Sequence, residues 1–270
     1  MNIIGLGKAG CTIADQFAEY PQYDVFKIDV DVEGTNCLKI PHQPGPEEYE
    51  RDTPSFKQFF SNIEGETFLV MGGSGDITAL SLRVMQQIEN SCETTVLYVR
   101  PDIDLLSETK KMHERVTYNV LQEYARSGKL KGICLINNSE IENILDNVPI
   151  MGYYKKLNDL IISTLHMINV YKNTEPIMGS LSEAGEAKRI YTVGLFDIEN
   201  NKEKLFFPLD NVKERCYIYS ISKERLQTES GLHKLITNQM KEKLSEENTS
   251  VSFGVFPTDY NNDYGYVIYH

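Results

Sequence analysis

Two stretches of the chain share one layout, in which a short apolar run enters a glycine-dense turn and leaves as a helical pattern. In the first, Asn2–Leu6 runs into Gly5-Leu-Gly7-Lys-Ala-Gly10. In the second, residues 67–71 run into Gly72-Gly73-Ser74-Gly75-Asp76. Glycine lets backbone N–H groups close on an anion that side chains would hold off, and the helix that follows presents its positive end to the same place. Two such turns on one sheet predict two phosphate cradles and so a nucleotide-binding chain.

The elements between them alternate. Apolar spacing predicts a helix over 8–20, with Ile13, Ala14, Phe17 and Ala18 on one face, and a strand over 25–30. Residues 42–54 read as a loop, 56–63 as a short helix, 79–89 as a helix and 94–99 as a strand. A helix over 107–127 ends at Gly128 and leads to a strand over 132–136. Such alternation, with nearly all-apolar strands, predicts an α/β fold: a parallel Rossmann-like sheet with helices on both faces and ligands at the carboxyl ends of its strands.

Residues 153–169 carry a broad apolar stripe (Leu157, Leu160, Ile161, Leu165, Ile168) and predict a central helix buried on more than one side. Strands over 190–198, 204–209, 217–221, 251–256 and 266–269, with a helix over 232–244, predict a smaller α+β mixed-sheet domain. The expected division is 1–152 for nucleotide binding, 153–187 for the central helix and its following loop, and 188–270 for the second domain.

Composition narrows the function. Of 270 residues, 41% are hydrophobic and 24% charged, ordinary for a globular chain with a real core. A net charge of −12 argues against direct nucleic-acid binding, which needs clustered Lys and Arg. Five scattered cysteines without a CxxC pair fit a reducing cytoplasm. Met1 opens directly into a strand and no apolar run approaches a membrane span, so neither secretion nor membrane insertion is expected.

The string Gly5-x-Gly7-x-x-Gly10, with Asp29 about 20 residues on, satisfies the dinucleotide fingerprint, in which the acid holds a ribose hydroxyl. No GxxxxGK[ST] string occurs, which excludes a Walker P-loop, and the five histidines have no zinc or triad spacing.

In order from Gly7 to Leu160, five segments resemble the tubulin/FtsZ superfamily, and the C-terminal half, finishing with a helix, Val251-Ser-Phe-Gly-Val-Phe256 and Tyr266-Val-Ile-Tyr269, resembles its second domain. Gly7-Lys-Ala-Gly10 is similar to its first phosphate loop, and Gly72-Gly-Ser-Gly75 to a shortened form of its glycine-rich signature loop. Val99-Arg-Pro101 stands where FtsZ has Thr-Lys-Pro. Leu135-Ile-Asn137-Asn138 resembles a strand-end Asn segment near sugar and base. Tyr154-Lys-Lys-Leu-Asn158-Asp-Leu160 matches tubulin's Tyr-x-x-Leu-Asn-x-Leu at the start of the central helix.

The resemblance implies GTP or GDP with Mg2+ carried on the phosphates, bound by Gly7, Lys8, Ala9, Gly10 and Cys11 from the first turn and Gly72, Gly73, Ser74, Gly75 and Asp76 from the second. Asp29 and Asn137 would reach the sugar. Tyr154 and Asn158, at i and i+4 on one helix face, would stack on the base and read its edge. It also implies head-to-tail self-assembly into cytoskeletal filaments, with hydrolysis completed by the neighbour's loop after the central helix.

This chain departs from the pattern there. Its 170–186 segment lacks the family's Asn-x-Asp-type motif, leaving Glu175, Glu183 and Glu186 as candidate water-activating carboxylates. Residues 42–63 are short for the family's helix and phosphate-contacting loop, and the chain stops at its last strand without the extra C-terminal helices of plasmid-segregation relatives. Together these imply a minimal member, of a kind phages or plasmids encode. Two other readings stay open: a non-hydrolysing nucleotide-binding assembly or partner-docking protein, and an NAD-binding Rossmann oxidoreductase.

Overall fold

The computed structural model describes residues 1–52, 54–182, 189–245 and 249–270. In chain order its elements are β1 (Asn2–Leu6), α1 (Gly7–Phe17), β2 (Asp24–Asp29), β3 (Cys37–Lys39), α2 (Pro46–Asp52), β4 (Gly65–Gly72), α3 (Ser81–Ile88), β5 (Cys92–Arg100), α4 (Glu108–Arg126), β6 (Gly132–Asn137) and α5 (Asn138–Leu145). The second half adds α6 (Tyr153–Lys172), β7 (Met178–Ser180), β8 (Ile190–Asp197), β9 (Lys202–Leu205), β10 (Glu214–Ser222), α7 (Lys223–Thr228), α8 (Leu232–Leu244), β11 (Ser250–Thr258) and β12 (Tyr264–Tyr269).

The α/β architecture agrees with the sequence reading. Strands run in the order β3-β2-β1-β4-β5-β6-β8-β12-β10-β11-β7, with β9 paired to β8. From β3 to β6 every pair is parallel. Adjacent residues serve opposite faces: Ile3, Val70, Leu97 and Cys134 join one buried cluster with α1 and α6, while Ile4, Leu69, Val96 and Leu135 join another with α3 and α4. Burial on both faces is why these strands read as continuous apolar runs.

The chain moves left from β1 to β2 and β3, then returns to place β4 on the other flank of β1. That reversal is the topological switch point, where an open α/β sheet leaves a crevice beyond its strand ends. The two glycine turns follow β1 and β4, the strands on either side of it.

Four local expectations need correction. Residues 42–54 hold a helix, α2, with Pro46 at its first position and Glu47 and Glu48 in its first turn, a start that suits the helix dipole. Residues 56–63 form turns, because Phe56, Phe60 and Ile63 reach the core through a mixture of short backbone bonds. The helix expected over 79–89 starts at Asp76 as a 3₁₀ turn and becomes α-helical at Ser81. The strand expected over 204–209 spans only Lys202–Leu205.

The sheet does not break between the two halves. β6 and β8 pair in parallel through Ile133↔Ile190, Cys134↔Tyr191 and Leu135↔Thr192. The Thr192 hydroxyl adds a bond to the Leu135 carbonyl at 2.8 Å. Helix α6 crosses beneath this join, burying Leu157, Ile161, Leu165 and Ile168 as its stripe requires. Among the described residues no helix is long and apolar enough to cross a membrane.

Candidate functional site

Each glycine of the first turn meets a different demand. Gly7 has φ +69, a left-handed conformation that side chains resist. A β-carbon on Gly5 would lie 2.8 Å from the Cys11 Cα, and one on Gly10 would overlap the Val70 carbonyl oxygen. Helix α1 therefore sits against β1 and β4 at backbone contact. Its N-cap, Leu6, supplies no side-chain cap, and its first turn has no acidic residue. The N–H groups of that turn lack intrahelical partners and face the crevice with the positive end of the dipole.

The second turn lies against the first. A β-carbon on Gly72 would stand 3.2 Å from that of Ala9, and one on Gly7 would stand 3.6 Å from that of Ile77. Thr78 closes the loop, its hydroxyl donating to the Gly72 carbonyl at 2.9 Å and its N–H to the Gly75 carbonyl at 3.1 Å. The Gly73 N–H is already engaged by the Val99 carbonyl at 3.0 Å. The N–H groups of Ser74 and Gly75 have no partner among the described residues, which makes them the loop's free donors.

Beneath this loop Glu114 is buried, accepting from the Tyr98 hydroxyl and from Arg100 Nε, each at 3.1 Å. Burial, with the Glu114 charge beside it, pushes the Tyr98 phenol well above its ordinary range, so it stays protonated and donates. Asp76 turns toward α4, where Lys110 Nζ meets its Oδ1 at 2.6 Å and His113 Nδ1 lies 3.7 Å from the same oxygen. The loop's one carboxylate is thus neutralised beside the free N–H groups.

Cys11 and Asp29 form the wall behind the first turn. The thiol contacts the carbonyls of Gly5 and Ile28, and burial, aided by the nearby Asp29 charge, pushes it up to about 12. It is a packing group, not a nucleophile. Asp29 ends β2 and accepts from the Val30 N–H at 2.8 Å.

Helix α6 brings the remaining residues to the same edge. It runs alongside α1 in the same direction: Gln16 bonds Asp159 at 2.9 Å, Tyr20 stacks on His166 at 3.9 Å, and Tyr23 meets Asn169. Both helices therefore begin at the carboxyl edge of the sheet. The Tyr153 hydroxyl ties this start to Glu142 of α5 at 2.7 Å. Tyr154 is 67% exposed at the rim, its ring edge-to-face with that of Tyr153 at 5.1 Å, while Asn158 one turn later is buried and its side chain makes no hydrogen bond to another described residue. Asn137 ends β6 and caps α5 through its Oδ1, which accepts from the Ser139 N–H and hydroxyl; its amide N–H groups stay available.

Glu175 does not join this group. It is exposed beyond the far end of α6, a helix of 20 residues and so about 30 Å long. Glu183 and Glu186 lie outside the described residues. Among the described residues no cluster of three or more His, Cys, Asp or Glu could hold a metal ion. Sequence reasoning missed Tyr98, Lys110, His113 and Glu114 as parts of the second loop's support; Thr78 and Arg100 lay in strings it had singled out, without these roles.

No protein-family model matches the chain, and no curated protein matches it. Solved structures do. The chain is similar over 99% of its length to TubZ of Bacillus thuringiensis serovar israelensis in a GTPγS-form protofilament, covering 86% of that chain at 16% identity with a TM-score of 0.75. It is similar over 99% of its length to CetZ of Methanosaeta thermophila, covering 85% at 13% identity, TM-score 0.70. The corresponding figures for an empty FtsZ dimer of M. jannaschii are 99%, 86%, 11% and 0.69. The chain has the tubulin/FtsZ fold.

Proposed function

We propose that this chain, having the tubulin/FtsZ fold, is a cytoplasmic GTP-binding protein that assembles head to tail into filaments. The observation that carries the reading is the contact between two glycine turns at the switch point, with unclaimed N–H groups in both and the exposed Tyr154 ring on the same rim. Gly7, Lys8, Ala9 and Gly10 hold phosphate from one side and Ser74 and Gly75 from the other. Asp29 reaches the ribose. Tyr154 stacks on the purine, and Asn137 and Asn158 bond its sugar and edge. Mg2+ rides on the phosphates, since Asp76 is engaged with Lys110.

Guanine is favoured over adenine by the neighbours whose names carry GTPγS and GDP, and filaments by their protofilament forms. A subunit's own Glu175 lies about a helix length from its own glycine turns, so a carboxylate on that segment serves the next subunit's nucleotide. Such a heterologous contact repeats without closing.

Phosphate release from GTP and magnesium, measured over a wide range of protein concentration, tests this. The expected result is a specific rate that climbs with concentration and falls in Glu175→Ala, Glu183→Ala or Glu186→Ala. GTP binding without release at any concentration replaces it with a non-hydrolysing assembly protein, the reading that the missing Asn-x-Asp-type motif favours.

A further inference from the structure

The second half of the chain reaches into the edge where the glycine turns lie. Just past β9, Phe206 and Phe207 enter opposite faces of the sheet: Phe206 joins the cluster of Val70 and Ile136, Phe207 that of Met71, Tyr98 and Leu135. The Phe206 carbonyl accepts the Asn137 N–H at 2.7 Å. The Phe207 ring carries the Arg100 guanidinium, whose Cζ stands 5.9 Å from the ring centroid.

From Arg100 the contacts continue to the floor of the second glycine turn. Arg100 Nε holds Glu114, Glu114 holds the Tyr98 hydroxyl, and a β-carbon placed on Gly73 would stand 2.8 Å from Tyr98 Cζ and 3.1 Å from Glu114 Cγ. Glu114 is 4% exposed, so the direction in which Arg100 points decides whether a buried carboxylate is compensated. An aromatic face attracts a guanidinium and limits the directions it takes. The arginine of the Val99-Arg-Pro101 string acquires a purpose by this route.

We propose that Phe207 is a positioning residue for the second glycine turn, orienting Arg100 so that Glu114 and Tyr98 form a fixed floor under Gly73. Its consequence for phosphate rests on the nucleotide reading above, whereas its structural content does not. Within Gly72 to Gly75 only Ser74 carries a side chain, and Thr78 ties the two ends of the loop without filling the space under Gly73. Preorganised donors need a support whose own rotamers are locked. Phe207 locks that support from the far half of the chain.

The test compares Phe207→Leu, which keeps apolar volume without a ring face, with Phe207→Tyr, which keeps the face, and with Arg100→Gln. Amide deuterium exchange over residues 72–80 is followed without nucleotide, beside thermal melting and titration with a fluorescent GTP analogue. In Phe207→Leu and Arg100→Gln, exchange over 72–80 is expected to quicken and GTP affinity to fall, each by about threefold, with Phe207→Tyr close to the parent. Should Phe207→Leu not fold, Phe207→Met, which also lacks a ring face, takes its place in the comparison. Exchange over 72–80 that matches the parent, or that quickens equally along the whole chain, overturns the proposal. A parent chain that binds no GTP sinks the nucleotide reading, and the exchange comparison still rules on the floor.

Discussion

Gly10 stands so close to the main chain of β4 that a β-carbon on it would overlap the Val70 carbonyl oxygen. Nothing flexible lies at that contact. A methyl there must push α1 off the sheet, and with it the N–H groups that open the first turn. Gly10→Ala is expected to cost about 2 kcal/mol or more of stability, the scale of forced overpacking, and to weaken GTP binding further in whatever fraction folds. Urea unfolding of the variant checks the first part; an unchanged midpoint contradicts it.

Tyr154 gives the opposite pattern. Its ring is 67% exposed, so Tyr154→Ala should leave stability within about 0.5 kcal/mol of the parent. Loss of a stacking surface for the base should nevertheless weaken GTP by about tenfold. Tyr154→Phe keeps the face and should retain affinity. Equal binding by Tyr154→Ala and the parent would remove Tyr154 from the site.

Asp76 and Lys110 act as a neutral pair, each a little over one-third exposed. Removing the amine with Lys110→Ala bares a carboxylate beside the Ser74 and Gly75 N–H groups, and affinity for GTP should drop by about threefold at low salt and less at high salt. Adding Asp76→Asn to that variant should recover the loss. Calorimetric titration of both at two ionic strengths separates this outcome from one in which Lys110 itself grips phosphate, where the double variant stays weak.

His166 sits between α1 and α6, stacked on Tyr20 and within hydrogen-bond reach of Gln22 and Tyr23. Burial depresses its pKa below the ordinary histidine value of 6.5. Below that value the unfolded chain takes up the proton more readily than the folded one, so stability present above pH 6.5 declines as pH falls toward the depressed pKa. His166→Phe should flatten that slope. Melting curves at stepped pH for both proteins read it directly, and parallel slopes would assign the pH dependence to other groups.

The local sequence determined the strand, glycine turn and helix units and the central helix, since periodicity and backbone freedom are properties of neighbouring residues. The five ordered segments pointed to the fold that the solved structures confirm. Pro46, Glu47 and Glu48 were a legible helix start read as loop, whereas the spacing of Phe56, Phe60 and Ile63 imitated a helix that the turns do without.

Tertiary structure alone decided the rest. That β1 and β4 flank the switch point depends on sheet order, which no short window encodes. The meeting of Asp76 with Lys110, of Arg100 with Phe207, and of β6 with β8 joins residues far apart in the chain. Those partners are chosen by close packing in three dimensions, where each contact depends on all the others being in place.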